Sequence, residues 1–235
     1  MTLHPEAVAF LQGARDAGGS PLFELSPVEA RAMSRGLVDL IGPGPAVEVV
    51  EELVIPVSGA EIAGRRYAPR EAHGTIVWLH GGGWVLDGLD GADAMCRILA
   101  NAAGAQVVSV DCRVAPEHPF PTPVDDCFDA LRWIAAQATE SGPLASRDDP
   151  DASPPRTPDL AGLAPAIVVI AEHDPLRDEG LAYAQRLRDA GVPVSLHSCD
   201  DMPHAFFSFV NLFATGNEAV ARVGAEVREM LAAAP

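Results

Sequence analysis

Basic residues are scarce in this chain. Its 235 residues include 16 Lys+Arg against 33 Asp+Glu, a formal net charge of −17. Nucleic acid and anionic membrane surfaces are both held by basic patches, so no nucleic acid and no membrane is expected as a partner. No apolar run approaches bilayer-crossing length. The N-terminal stretch Met1–Phe10 lacks the basic start and long apolar core of a secretion signal. These absences lead to the expectation of a cytoplasmic protein. Cysteine is sparse too. Cys96, Cys112, Cys127 and Cys199 form no C-x-x-C pair, which argues against a zinc site or a disulfide framework and for reduced, partly buried thiols. His173 and Asp174 adjoin, but no H-x-x-x-H spacing accompanies them, so no metal is expected. There is no internal repeat.

What is present is apolar and periodic. With 48% hydrophobic residues the chain can bury a full core as one domain over 1–235. Pro5 to Ala17 reads as a short helix. Ser26-Pro27-Val28-Glu29 is a capping box that opens a second helix, with a loosely apolar face of Val28, Met33, Leu37, Val38 and Ile41, stopped by Gly42-Pro43-Gly44-Pro45. Together they make an N-terminal helical cap segment over 1–45. Val47–Pro56 and Ala60–Tyr67 read as a hairpin around Ser58-Gly59. Strand and helix then alternate: Thr75–Leu79, a helix over Asp90–Ala103, Gln106–Asp111, a helix over Val124–Ala138, Ala166–Ala171, a helix over Leu176–Ala190, Val194–Cys199, and a last helix over Glu218–Leu231. Such alternation predicts βαβ units and an α/β fold with a mostly parallel sheet flanked by helices. Residues 140–163, rich in Pro, Asp, Ser and Gly, interrupt it as one long loop, which is unusual inside a compact domain.

The chemistry concentrates after the strand Thr75–Leu79, at His80-Gly81-Gly82-Gly83-Trp84. Three glycines in a row leave backbone N–H groups unshielded, so an anionic oxygen can approach them closely. A glycine triplet alone also suits a flexible turn. The strand and histidine before it and the tryptophan after it match the oxyanion-hole motif of lipases and esterases.

Three further stretches extend the likeness: Asp111 to Pro121, close to a D-Y-R-L-A-P-E-H-P-F-P pattern; Glu172-His173-Asp174-Pro175-Leu176-Arg177-Asp178-Glu179-Gly180; and Met202-Pro203-His204-Ala205-Phe206. With all four in order, the chain resembles the hormone-sensitive-lipase-like family of bacterial esterases, on the α/β-hydrolase fold. The resemblance implies hydrolysis of short- to medium-chain acyl esters, a small-molecule ester substrate, no cofactor and no metal. Asp174 matches the triad acid, and an aspartate there could also cap the following helix. His204 matches the triad base, and Gly81 and Gly82 match the oxyanion-hole donors. His80 is expected to hold the glycine loop, and Trp84 and Phe206 to pack. Members of that family often pair as homodimers, an expectation carried by the resemblance alone.

One departure counts for more than the matches. The family nucleophile is a serine in G-x-S-x-G, and no such pattern occurs at any position. The chain passes from one family segment to a much later one, with a junction near 140–142, and so reads as truncated by about two central strands with their helices. Each βαβ unit takes roughly 30 residues or more, so the omission is large. Ser141 has Thr139 and Pro143 where the elbow needs glycines, which makes it a loop residue rather than a nucleophile. Ser109, Ser198 and Ser208 read as ordinary strand or loop serines. The sequence therefore predicts a six-stranded sheet in which Ala166–Ala171 takes the elbow strand's place beside Thr75–Leu79, with an exposed apolar patch where helical cover is lost. Alternatives stay open: a binding or interaction protein with the fold and no catalysis, a hydrolase with a non-serine nucleophile such as Asp174, or a truncated product without folded function.

Overall fold

The computed structural model describes residues 2–137 and 159–233. Most of the loop expected over 140–163, the junction near 140–142 and Ser141 lie outside the described residues. The chain forms two compact units, one of Met1–Gly18 with Ser146–Phe206 and the other of Gly19–Ala145 with Phe207–Pro235.

In the larger unit, β1 (Val49–Val57) and β2 (Ala60–Ala68) form the expected antiparallel hairpin, closed at Val57↔Ala60 around the Ser58-Gly59 turn. β3 (Thr75–Leu79) has the predicted bounds and pairs in parallel with β4 (Gln106–Val110). The crossover between them is α3 (Leu89–Ala103), which ends at Gly104 in the left-handed region with φ 61°. β4 also pairs antiparallel with β2, giving the order β1-β2-β4-β3.

One face of α3 (Met95, Cys96, Leu99, Ala100) packs with Tyr67, Val107, Val210 and Val220 into the main core. Fully burying each such large apolar side chain contributes about 1.5–3 kcal/mol. α6 (Ala214–Ala233) lies close against α3 because Gly224 faces Ala102. A Cβ at 224 would come within 2.5 Å of the Ala102 Cβ, so the close approach depends on glycine. On the opposite side α4 (Thr122–Gln137) contributes Ala130 and Ile134 to a second cluster with Ile55, Ile62, Val108 and Val110.

α2 (Pro27–Ile41) starts at the predicted capping box. The Ser26 side chain accepts from the Glu29 N–H, and the Glu29 carboxylate accepts from the Ser26 N–H. Its predicted apolar face is corrected. Ile41 is buried, but Val28 and Met33 are exposed. The helix is instead held in part by a polar anchor, Arg31, described below.

The smaller unit holds α1 (Pro5–Asp16), β5 (Ala166–His173), α5 (Arg177–Asp189) and β6 (Val194–Pro203). β5 and β6 pair in parallel from Ala166↔Val194 onward, with an irregularity between Ala171 and His173. Leu160, Leu187 and Val192 form one of its apolar clusters. The chain ahead of α1 is tied to the end of β6 by a hydrogen bond from the His4 N–H to the Asp201 carbonyl, 2.9 Å.

Among the described residues six strands are present, as the sequence predicts, but the single sheet is not. They form one sheet of four and one of two. Within the smaller unit β5 pairs with β6. The physical reason is that β5, α5 and β6 close a βαβ unit around a core of their own. Within the described residues no helix is long and apolar enough to cross a membrane, and no group of three or more His, Cys, Asp or Glu could hold a metal ion.

Candidate active site

In the smaller unit, Asp174 follows β5 and His204 follows β6. Parallel pairing brings the two strand ends side by side, which is why residues 30 apart in sequence meet. The His204 N–H donates to the His173 carbonyl at 3.1 Å, which fixes the backbone at the turn. The His204 imidazole then donates from Nδ1 to Asp174 Oδ2 at 2.8 Å. Asp174 divides its two oxygens. Oδ1 accepts from the Leu176 N–H at 2.7 Å, at the start of α5, while Oδ2 holds the imidazole. Asp174 is therefore not the cap of α5, whose N-cap is Leu176; its Oδ1 contact is a turn two residues long that helps hold the carboxylate against the imidazole. The Asp174 side chain is only 17% exposed and that of His204 is 57% exposed. With Nδ1 occupied by the carboxylate, Nε2 is the nitrogen left to exchange a proton with a bound group.

In the larger unit, His80-Gly81-Gly82-Gly83 leaves the end of β3 as a tight turn. The N–H groups of Val85 and Leu86 both donate to the Gly82 carbonyl, at 3.1 and 2.9 Å. Gly82 has φ +105°, and a Cβ there would lie 2.2 Å from the Leu86 carbonyl oxygen, so no other residue fits. Among the described residues, the N–H groups of Gly81 and Gly82 donate to no protein acceptor. Neighbouring free amides of this kind suit an anionic oxygen.

Two contacts hold this turn. The Ala115 N–H donates to the Trp84 carbonyl at 2.8 Å, joining the turn to the proline-rich loop. Arg31 reaches from α2 to both segments. Its Nε donates to the Val85 carbonyl at 2.9 Å, one Nη to the Ala115 carbonyl at 2.7 Å, and the guanidinium forks onto Glu117 at 2.8 and 2.7 Å. That guanidinium holds the Glu117 carboxyl down to about 2. Beside the turn, a cleft of about 280 Å³ is lined by charges of both signs, including Arg31, Arg35, Arg65, Asp87 and Asp111.

His80 uses its own nitrogens differently. Nδ1 donates to the Gly81 carbonyl at 2.8 Å, which pins the ring to the loop it introduces, as expected. Nε2 faces the Cys112 Sγ at 3.7 Å, a contact that no spacing in the sequence predicts. Trp84 corrects another expectation. It is 67% exposed with φ 60°, so the positive φ of its turn carries the ring outward instead of packing it. Phe206 is buried as expected. Ser109 is fully buried on β4, and Ser198 donates to Asp200 at 2.9 Å, so both are the ordinary serines the sequence suggests. Exposed large apolar side chains in this unit include Leu79, Trp84 and Phe120.

The structure brings Asp174 and His204 within hydrogen-bond distance, and among the described residues the Gly81 and Gly82 N–H groups meet no protein acceptor. Sequence reasoning missed Arg31 as the anchor of the loop and Cys112 as the partner of His80. The one available signal for Cys112 was its place in the D-Y-R-L-A-P-like run, where the pattern has tyrosine.

Comparison with known proteins bears on the family and the fold. Residues 76–144 and 141–208 match the family described as alpha/beta hydrolase fold, in two segments that overlap at 141–144. The chain is 31% identical over 278 positions to carboxylic ester hydrolase LipN of Mycobacterium tuberculosis, covering 83% of this chain and 73% of that protein. It is 29% identical over 307 positions to an arylesterase of Saccharolobus solfataricus, covering 98% of this chain and 99% of the relative. Since 98% of 235 residues fills those 307 positions, roughly 77 of them have no counterpart here. Among solved structures, ester-hydrolase EH1AB1 from the metagenome of Lake Arreo, complexed with a derivative of bipyridine phosphonate, superposes with a TM-score of 0.87. That match has 26% identity and covers 98% of this chain and all of the other. With the family matched across more than half its length, the chain belongs to the alpha/beta hydrolase fold family.

Proposed function

We propose that the chain is a carboxylic ester hydrolase acting on short- to medium-chain acyl esters. The observation that carries this reading is the Asp174–His204 hydrogen bond, which orients the imidazole and leaves Nε2 for proton transfer. In the mechanism His204 removes the proton from the attacking group and returns it to the leaving alcohol. Asp174 stabilises the imidazolium, and Gly81 and Gly82 donate to the oxyanion of the tetrahedral intermediate. Water then releases the acid. The relatives' names, carboxylic ester hydrolase and arylesterase, support the substrate class. A net charge of −17 supports a small neutral substrate over nucleic acid or an anionic membrane, and four cysteines outside any disulfide support a cytoplasmic setting.

A second reading is favoured by a specific observation, the absence of G-x-S-x-G from the whole chain. Loss of the serine from such a triad costs on the order of a millionfold in turnover. On this reading the chain keeps a pocket and binds esters without cleaving them. Hydrolysis of p-nitrophenyl butyrate separates the two. Turnover that disappears in His204→Ala supports the hydrolase. A rate equal to buffer, together with binding of an ester analogue, overturns it in favour of the binding protein.

A further inference from the structure

Contacts run in series from a sulfur to the backbone of the glycine turn. Cys112 Sγ lies 3.7 Å from His80 Nε2, and His80 Nδ1 donates to the Gly81 carbonyl at 2.8 Å. A carbonyl can only accept, so Nδ1 carries a proton. The Gly81 carbonyl and the Gly82 N–H belong to one peptide unit, and in a trans peptide the two point in opposite directions. The imidazole therefore holds the back of the unit whose front is the open Gly82 amide.

Cys112 is itself fixed from both sides. The Asp111 N–H donates to the Ala63 carbonyl at 3.0 Å. The Arg113 N–H and Nε both donate to Asp126 Oδ2 at 2.9 Å, and its Nη2 donates to Oδ1 at 2.6 Å. Asp126 lies on α4 and is fully buried, so these bonds are shielded from water. With both neighbours tied down, the sulfur is a rigid stop for the ring.

We propose that Cys112 is a positioning residue for the oxyanion turn, acting through His80 on the Gly81–Gly82 peptide. The inference rests on the donor role proposed for Gly82 and names what sets the strength of that donor. As an imidazolium, His80 gives the Gly81 carbonyl a charge-assisted hydrogen bond, roughly twice as strong as a neutral one. That bond draws electron density toward the carbonyl oxygen and leaves the Gly82 N–H a stronger donor to a substrate oxyanion. Cys112 is the partner that receives the second ring proton. Cysteine suits this place better than the tyrosine of the resembled pattern, because a free thiol ionises near ~8.5 and a phenol near ~10.

The electrostatics agree. Burial works against the His80 imidazolium, but its bonds to Cys112 and the Gly81 carbonyl outweigh it and, with the charge of Asp87, raise it to about 9. Cys127 and His80 both lower the Cys112 thiol, against burial. The other charges acting on the pair are acidic. Asp87 and Asp111 favour the imidazolium, and Asp126 opposes the thiolate. A raised histidine keeps its charge up to its own value, so the Gly82 donor weakens as pH rises through about 9.

NMR of the whole chain, with isotope-labelled glycine, histidine and cysteine, tests this without needing turnover. The His80 ring should titrate well above the ~6.5 of free histidine, and the Gly82 amide proton should shift with the same midpoint. The Cys112 Cβ signal should change as His80 loses its proton. Cys112→Ser should lower the His80 midpoint by about one unit or more, with the Gly82 amide following it. A His80 midpoint near ~6.5, a Gly82 amide that does not follow His80, or a midpoint unmoved in Cys112→Ser overturns the proposal. The first two are read on the unmodified chain, so a variant that fails to fold leaves the test intact. The ester-hydrolase reading fails separately, by absence of p-nitrophenyl butyrate turnover, and the titration then still decides this proposal. Where turnover is found, Cys112→Ser should lower kcat about tenfold with KM unchanged and move the alkaline limb of the pH profile downward, and an unchanged kcat and profile overturns the proposal.

Discussion

Two histidines, each just beyond a parallel strand, stand in opposite relations to their surroundings. His204 gives Nδ1 to a carboxylate and keeps a side chain that is 57% exposed. His80 gives Nδ1 to its own neighbour's carbonyl and turns Nε2 to a sulfur. Position at a strand end is shared, so position alone does not set what an imidazole does. The acceptor on Nδ1 does. A carboxylate balances the charge of an imidazolium that forms in passing, whereas a carbonyl fixes the ring and leaves the charge to be balanced on the other side.

That contrast predicts effects of very different kinds. If His204 serves chemistry and little else, His204→Ala should lower ester turnover by about 10⁴-fold or more and shift stability by less than about 0.5 kcal/mol. Parallel p-nitrophenyl butyrate assays and urea melts check both halves, and a large loss of stability would break the contrast. The pairing of Arg113 with the buried Asp126 carboxylate should behave in the reverse way. Asp126→Ala removes that carboxylate while the Arg113 guanidinium keeps access to solvent, and should cost about 1–3 kcal/mol in a urea melt. Gly82→Ala sharpens the picture of the loop itself. Its Cβ would meet the Leu86 carbonyl at 2.2 Å, and the strain should cost about 2 kcal/mol or more, along with turnover. Ser26→Ala is the control, at the start of α2. Removing the capping box should cost about 1 kcal/mol by thermal melt and leave the ester rate unchanged.

Local chemistry made much of this legible beforehand. The Ser26/Glu29 box, the Ser58-Gly59 turn and the bounds of β3 are each set by residues within a few positions of one another. The Asp174–His204 pair was readable because motif order carries it, even though the two lie 30 positions apart. Features set by distant residues were not. Arg31 is one cation on a helix, and nothing in its spacing points to carbonyls at Val85 and Ala115. β6 runs on to Pro203 through Asp200 and Asp201, residues with little strand preference, because the parallel ladder with β5 extends to His173↔Pro203. The division of six strands between two sheets follows from where each βαβ unit finds its core, which local pattern does not encode.

The Arg31 anchor has a consequence for the order in which the molecule assembles. Its bonds span 54 to 86 positions of chain, so the helix that supplies the guanidinium is synthesised long before its acceptors. The open amides of the glycine turn acquire their fixed aim only once the proline-rich segment has come back to meet that helix, and loop closure of this length makes such a step late. A nascent chain stalled before Ala115 would carry the complete glycine motif but lack the contact that makes it a receptor.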